Sequence, residues 1–423
     1  MMDESAYLPR IADELLESKL KQTGAVVIRG PKWCGKTETA LRHSQSALFM
    51  QDPDQRVSNQ MLAESKPSVL LRGGKPRLID EWQEAPQLWD AVRFSVDRER
   101  ERGLYILTGS ATPKSKPQHS GTGRMSFLDM RTMSLFESKE STGEVSLLGL
   151  FDEPSDIEGA ASGDIETIAF QVARGGWPSA VTMGNAEAAT ETAFDYLQAV
   201  AEEDISAVDG VSRNPNHARL VMRSFARCVG SQADTSSMSK MINAQGSEMS
   251  RPTFSAYLAA LRNLSIVEDL DAWEPSLRSK ARLSRTPKRY FVDPSLATAA
   301  LGASPALLLR DMPTLGMLFE ALCIRDLRVY AQKNNGQVFF YRDNSGLEAD
   351  AVVALRDGRW GLVEIKLNQS QTDAAAESLG KVAAKIDQTV MGAPSFMLVV
   401  TADGYAYRRN DGVYAAPISC LRP

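Results

Sequence analysis

The chain has 423 residues, 43% hydrophobic and 24% charged, with a formal net charge of −5. That length exceeds what one hydrophobic core organises, so two or three domains are expected, and the ordinary composition excludes disorder as the default state. The mildly acidic balance excludes a global electrostatic pull toward nucleic acid or membrane and leaves only local basic patches to consider.

The N-terminus carries acidic residues early and lacks an apolar core, and no segment approaches the ~20 apolar residues of a membrane span, so a cytoplasmic location is expected. Cys34, Cys228, Cys323 and Cys420 lie far apart, with neither zinc-site spacing nor the density of a disulfide framework, and read as reduced thiols. Three histidines (His43, His119, His217) argue against a histidine metal cluster or a catalytic histidine.

In chain order, Leu8, Ile11, Leu15, Leu16 and Leu20 follow helical spacing, and AVVIRG then reads as a buried strand. Next comes GPKWCGKT, comprising Gly30, Pro31, Lys32, Trp33, Cys34, Gly35, Lys36 and Thr37, a full match to G-x-x-x-x-G-K-[ST] after a strand. Loop amides converge on the β-phosphate of a nucleotide, and the two glycines let the backbone turn closely. Lys36 is expected to neutralise the β and γ phosphates and Thr37 to ligate magnesium.

Short apolar runs at 47–50, 77–80 and 104–108, separated by helical stretches, predict a parallel α/β sheet. RLIDE ends in Asp80 and Glu81, where a Walker B element belongs, with Asp80 orienting magnesium and Glu81 polarising the attacking water. LYILTGS ends in the polar residues Thr108 and Ser110. In AAA-type ATPases a polar residue at that strand end senses the γ-phosphate, and this sequence looks like that arrangement, with Ser110 counted among the nucleotide-binding residues. Arg124, in HSGTGRM, follows at the distance of an arginine finger or sensor arginine in such folds.

The pattern degrades into Ser, Gly and acidic residues over 133–162, which places a boundary near 165–180. Over 237–291 a short helix at 238–242, an N-cap at Ser250 and an apolar face of Tyr257, Leu258, Leu261 and Leu264 give a helix-turn-helix order similar to a winged helix. LRSKARLSRTPKRY holds Arg278, Lys280, Arg282, Arg285, Lys288 and Arg289 without an acid, so it would meet phosphates on a winged domain or form a solvated or docked loop. Trp82, Trp89, Trp177 and Trp273 sit in apolar patterns and read as core.

After residue 293 come a helix at 315–331 and strands at 338–342, 349–355, 361–366 and 395–401. The order Glu320, Asp350, Glu364, Lys366 resembles the PD-(D/E)XK nuclease-like fold. In that chemistry Asp350, Glu364 and Glu320 hold magnesium, while Lys366 positions or deprotonates water. Glu-x-Lys on a strand places both side chains on one face.

GPKWCGKT, LIDEWQ, LTGSATP, HSGTGRM, MSLFE, GGWP, RYFVDPSLA, LGMLFEAL and GLEAD with VEIK together resemble a family of prokaryotic AAA-type ATPases with a characteristic C-terminal domain, over residues 7–379. The resemblance implies an N-terminal AAA-type P-loop domain at 1–165, a helical winged-helix-like middle at 166–300 and a C-terminal restriction-endonuclease-like α/β domain at 301–423. ATP and magnesium are the implied cofactors, with DNA and further copies of the chain as candidate partners. Three readings stay open: ATP hydrolysis that drives a DNA-binding or nuclease-like domain, an ATP-gated magnesium-dependent nuclease, and a nucleotide-switched binding module.

Overall fold

The computed structural model describes residues 7–109, 119–152, 155–244, 246, 248–275 and 286–423. Five strands, β1 (Ala25–Arg29), β2 (Ser46–Phe49), β3 (Arg77–Asp80), β4 (Tyr105–Gly109) and β5 (Met125–Asp129), form one parallel sheet in the order β2-β3-β4-β1-β5. The interior strands are nearly continuous runs of apolar residues: all of β4 and the first four residues of β1 are buried, as a sheet covered on both faces requires. One face packs Val27, Ile79 and Leu107 against Leu88, Trp89 and Val92 of the helix Gln87–Glu99. The other packs Val26, Ile28, Leu78 and Ile106 against Leu16 of the helix Ile11–Leu20 and Ala40 of the helix Lys36–Arg42.

The chain divides into two compact units. The first comprises Met1–Thr132, Glu202–Arg213 and Ala259–Ile266, and the second Met133–Ala201, Asn214–Leu258 and Val267–Pro423. Backbone amides of MSLFE explain why the second unit begins at Met133. The backbone amide of Met133 donates to Gly176 (2.7 Å) and that of Leu135 to Asp326 (2.9 Å). Asp293 in turn accepts from the Gly176 amide (3.0 Å) and pairs with Arg325 (3.1 Å), which also holds Asp326 (2.7 Å), while Trp177 Nε1 donates to Ser295 Oγ (3.0 Å). MSLFE, GGWP and VDPS, distant in sequence, thus share one buried polar network. Each charge in it is paired, without which burial would be costly.

In the second unit β6 (Val145–Ser146) pairs with β14 (Leu421–Arg422). The main sheet there contains β7 (Gly159–Ala160), β8 (Gln337–Arg342), β9 (Glu348–Ala354), β10 (Trp360–Lys366), β11 (Phe396–Thr401), β12 (Tyr405–Arg408) and β13 (Tyr414–Pro417), ordered β7-β12-β13-β11-β10-β9-β8. The expected strands at 338–342, 349–355, 361–366 and 395–401 match β8 to β11 to within one residue at either end. The helix Met312–Lys333 packs on β8, β9 and β10, and buries Leu315, Leu318, Phe319 and Leu322.

The expected helices of the middle region are present at Thr235–Asn243 and Arg251–Asn263, and Ser250 Oγ accepts from the Thr253 amide (3.2 Å) as an N-cap. Val267 bridges Phe291 and Leu270 bridges Lys288, both antiparallel. All four tryptophans assigned to the core are buried. No described helix is long and apolar enough to cross a membrane.

Candidate active site

β1 runs straight into the glycine loop. Gly30 and Gly35 adopt φ of +153° and +101°, and a Cβ on Gly30 would lie 2.0 Å from the Met130 carbonyl oxygen, so only glycine fits there. Cys34 is fully buried and fixes the back of the loop, with its Sγ 3.7 Å from the same Met130 carbonyl. Lys32 and Trp33 are exposed; Lys32 pairs with Asp204 (2.6 Å), and Trp33 has φ of +63°. Pro31 is buried.

Lys36 is buried, and its ammonium donates to the carbonyls of Gly30 (3.0 Å) and Pro31 (2.6 Å), which curls it over the loop. Thr37 Oγ1 donates to Asp80 Oδ1 (2.8 Å), and Thr108 Oγ1 donates to the same oxygen (2.5 Å). The sheet order produces this meeting. β4 lies between β1 and β3, and its register sets Thr108 beside both Ile28 and Asp80. A carboxylate oxygen held by two hydroxyls, one of them on the P-loop, fits a magnesium site, since hard oxygen ligands converge beside the phosphate cradle. Glu81 follows Asp80 in the left-handed region (φ +54°), and its carboxylate accepts from the Gln83 side-chain amide.

Two further residues shape this site, Arg10 from outside the motifs and Thr108 from the strand end of LYILTGS. Arg10, buried ahead of the first helix, donates to the Cys34 carbonyl (2.7 Å) and the Arg131 carbonyl (2.8 Å), and so ties the loop to the chain after β5. Thr108 performs the tethering at the end of β4. Ser110, read as the sensing residue, lies outside the described residues.

Arg124 does not join the site within its own chain. It immediately precedes β5, which runs parallel to β1 with Met125 beside Ala25 and Asp129 beside Arg29, whereas the P-loop leaves the opposite end. Five strand residues separate the two levels, roughly 16 Å at 3.3 Å per residue. Its guanidinium pairs instead with Asp97 (2.8 Å) at an exposed surface. Arg124→Ala is therefore expected to leave ATP affinity within twofold, measured by calorimetry; a loss of tenfold or more would restore the sensor role.

The carboxylates of the second unit meet as the strand spacing implies. Glu348 and Asp350, two apart on β9, and Glu364 and Lys366, two apart on β10, gather beside Glu320 of the long helix. Lys366 Nζ contacts Glu364 Oε1 (2.8 Å) and Asp350 Oδ2 (3.8 Å), and Asp350 Oδ2 also accepts from the Ile365 amide (2.8 Å). The basic segment supplies a further member. Lys288 is only 3% exposed, and its ammonium sits 2.6 Å from Glu348 Oε1, 3.1 Å from Glu320 Oε1 and 3.7 Å from Asp350 Oδ1. Tyr290 also donates to Glu320.

Burial and the neighbouring Asp350 carboxylate push Glu364 up to about 7, against the opposing pull of Lys366. Burial and Asp350 likewise raise Glu320 despite Lys288. Burial alone would lower Lys288, but Glu320, Asp350 and Glu348 outweigh it and hold the ammonium above the ordinary lysine range.

Of the alternatives for the basic segment, Lys288 and Arg289 follow docking against acidic residues and not contact with phosphates. Both are buried, Lys288 among these carboxylates and Arg289 against Asp269 (2.9 Å). Arg278, Lys280, Arg282 and Arg285 lie outside the described residues. Glu348, absent from the expected ligand set, was detectable in GLEAD as the residue two positions before Asp350 on the same strand face.

Comparison with known proteins divides the chain into three. Residues 22–139 match the AAA domain family, residues 165–307 a domain of unknown function (DUF8612) and residues 315–421 another domain of unknown function (DUF4143). The uncharacterized proteins Rv2008c of Mycobacterium tuberculosis and Mb2031c of Mycobacterium bovis are each 26% identical over 363 residues, covering 84% of this chain and 73% of theirs. Among solved structures, the Walker-type ATPase PABY2304 of Pyrococcus abyssi aligns with 70% of this chain and 97% of its own (12% identity, TM-score 0.45). The RuvB Holliday junction branch migration motor of Thermotoga maritima aligns with 61% and 86% (14% identity, TM-score 0.24). The family match and the P-loop geometry identify the N-terminal region as an AAA-type, ATP-binding P-loop domain.

Proposed function

We propose that the protein is a magnesium-dependent ATP hydrolase whose nucleotide cycle switches a partner-binding second unit. The Asp80 carboxylate carries this reading, because it is held at once by Thr37 on the P-loop and Thr108 on the adjoining strand. Magnesium bound there would neutralise phosphate charge and favour displacement at the γ-phosphate. The chain's own residues do the rest. Gly30 and Gly35 let the loop amides approach the phosphates, Lys36 exchanges its two carbonyl partners for phosphate oxygens, Thr37 and Asp80 hold the metal, and Glu81 takes the proton of the attacking water. For Arg124 to act as an arginine finger it would have to reach the phosphates of a second copy.

For the middle region, the helices Thr235–Asn243 and Arg251–Asn263 and the antiparallel bridges after them support a winged-helix-like binding role, with DNA as the candidate partner. The nuclease reading draws on one observation, the buried Glu364 Oε2 that has no hydrogen-bond partner. Against it stands Lys288, already seated among the carboxylates.

The test is phosphate release by the purified chain in magnesium and after EDTA, with no DNA and with labelled single-stranded, duplex and branched DNA. Magnesium-dependent turnover with intact DNA at the end is expected. No turnover under any condition would overturn the hydrolase reading, and magnesium-dependent strand cleavage would overturn the binding-module reading.

A further inference from the structure

A divalent ion in a PD-(D/E)XK-like cluster needs carboxylate oxygens converging on one empty point, at about 2.0–2.1 Å for magnesium. Here that region holds an ammonium. Lys288 Nζ makes contacts of 2.6 Å to Glu348, 3.1 Å to Glu320 and 3.7 Å to Asp350, and Lys366 takes Glu364 and the other Asp350 oxygen. Among the described residues no group of three or more His, Cys, Asp or Glu side chains is arranged to hold a metal. The expected ligand set Glu320, Asp350 and Glu364 is therefore present but does not fit a metal as arranged.

We propose that Lys288 is a built-in cation that occupies the carboxylate cluster and closes it to divalent metal. The side chain is buried, its backbone is held by the antiparallel bridge to Leu270, and its ammonium lies 5.8 Å from the centre of the Phe340 ring. A metal could enter only by displacing this buried ammonium from its contacts with Glu348, Glu320 and Asp350. Two lysines against Glu320, Glu348, Asp350 and Glu364 leave the cluster short of positive charge, with Arg342 offering only a longer contact to Glu348 (3.5 Å). Removing Lys288 would therefore leave three carboxylates facing one vacated point, which is the requirement for a divalent ion. The inference stands apart from ATP hydrolysis, because every residue in it belongs to the second unit.

The test measures Mn2+ binding to the nucleotide-free full chain by electron paramagnetic resonance and calorimetry. Wild type is expected to bind no Mn2+ at the cluster. Lys288→Met is expected to gain one site at least tenfold tighter than any wild-type site, and to lose it when Asp350→Asn is added. Wild-type Mn2+ binding that Asp350→Asn abolishes, or a folded Lys288→Met variant that gains no site, would overturn the proposal. Should Lys288→Met not fold, amine labelling of wild type read by mass spectrometry decides. Lys288 should stay unlabelled at every Mn2+ concentration, and labelling that rises with Mn2+ would mean the metal displaces it.

Discussion

Replacing Lys36 with alanine is expected to weaken ATP binding by about 100-fold, or ~2.7 kcal/mol at 25 °C. The ammonium is the one P-loop cation directed into the loop, where it caps the Gly30 and Pro31 carbonyls, whereas Lys32 is drawn outward to Asp204. Charge-assisted bonds to phosphate are the strong ones, and this lysine starts buried, so little solvation is left to lose when it turns to the nucleotide. Alanine also leaves the two carbonyls without their donor, so circular dichroism should accompany the calorimetric titration. A native spectrum with affinity within threefold of wild type would remove Lys36 from phosphate binding.

Glu81→Gln is expected to leave ATP affinity unchanged within about threefold and to slow hydrolysis by 100-fold or more, the lower end of the range for losing a general base. The substitution isolates basicity. Glutamine keeps the length of the side chain and tolerates the same left-handed backbone, and its carbonyl can still accept from Gln83. Steady-state phosphate release alongside nucleotide titration separates the two quantities. Unchanged turnover would assign the proton transfer to another group.

The first unit was the more legible part because its chemistry is local in sequence. Eight consecutive residues build the loop, and a strand ending in two carboxylates supplies the rest of the expected machinery. The lateral order of strands was not legible, since nothing in RLIDE or LYILTGS states which lies beside β1. That order makes Thr108 the partner of Asp80, while the parallel run of β5 beside β1 leaves Arg124 at the far end of the sheet. In the second unit the period-two spacing of GLEAD and VEIK foretold which carboxylates would share a face. The same reading left Lys288 open between a phosphate contact and a solvated or docked loop, because a run of cations without acids names no partner until the fold supplies acids from two other elements, the long helix and β9. Arg10 was silent for a related reason: its partners are backbone carbonyls, which leave no trace in side-chain pattern.

The first unit takes its residues from three stretches of chain, with the path passing between units after Thr132, Ala201, Arg213, Leu258 and Ile266. During synthesis the five-stranded sheet can form once residue 129 has emerged, but that unit lacks its last stretch until Ile266 clears the ribosome. By then much of the second unit's helical portion is already outside, while the strands that bury its long helix are still untranslated. Vectorial folding therefore cannot finish one unit before beginning the other, and a nascent chain paused between residues 133 and 266 would present an ATP-binding sheet whose remaining pieces have yet to arrive.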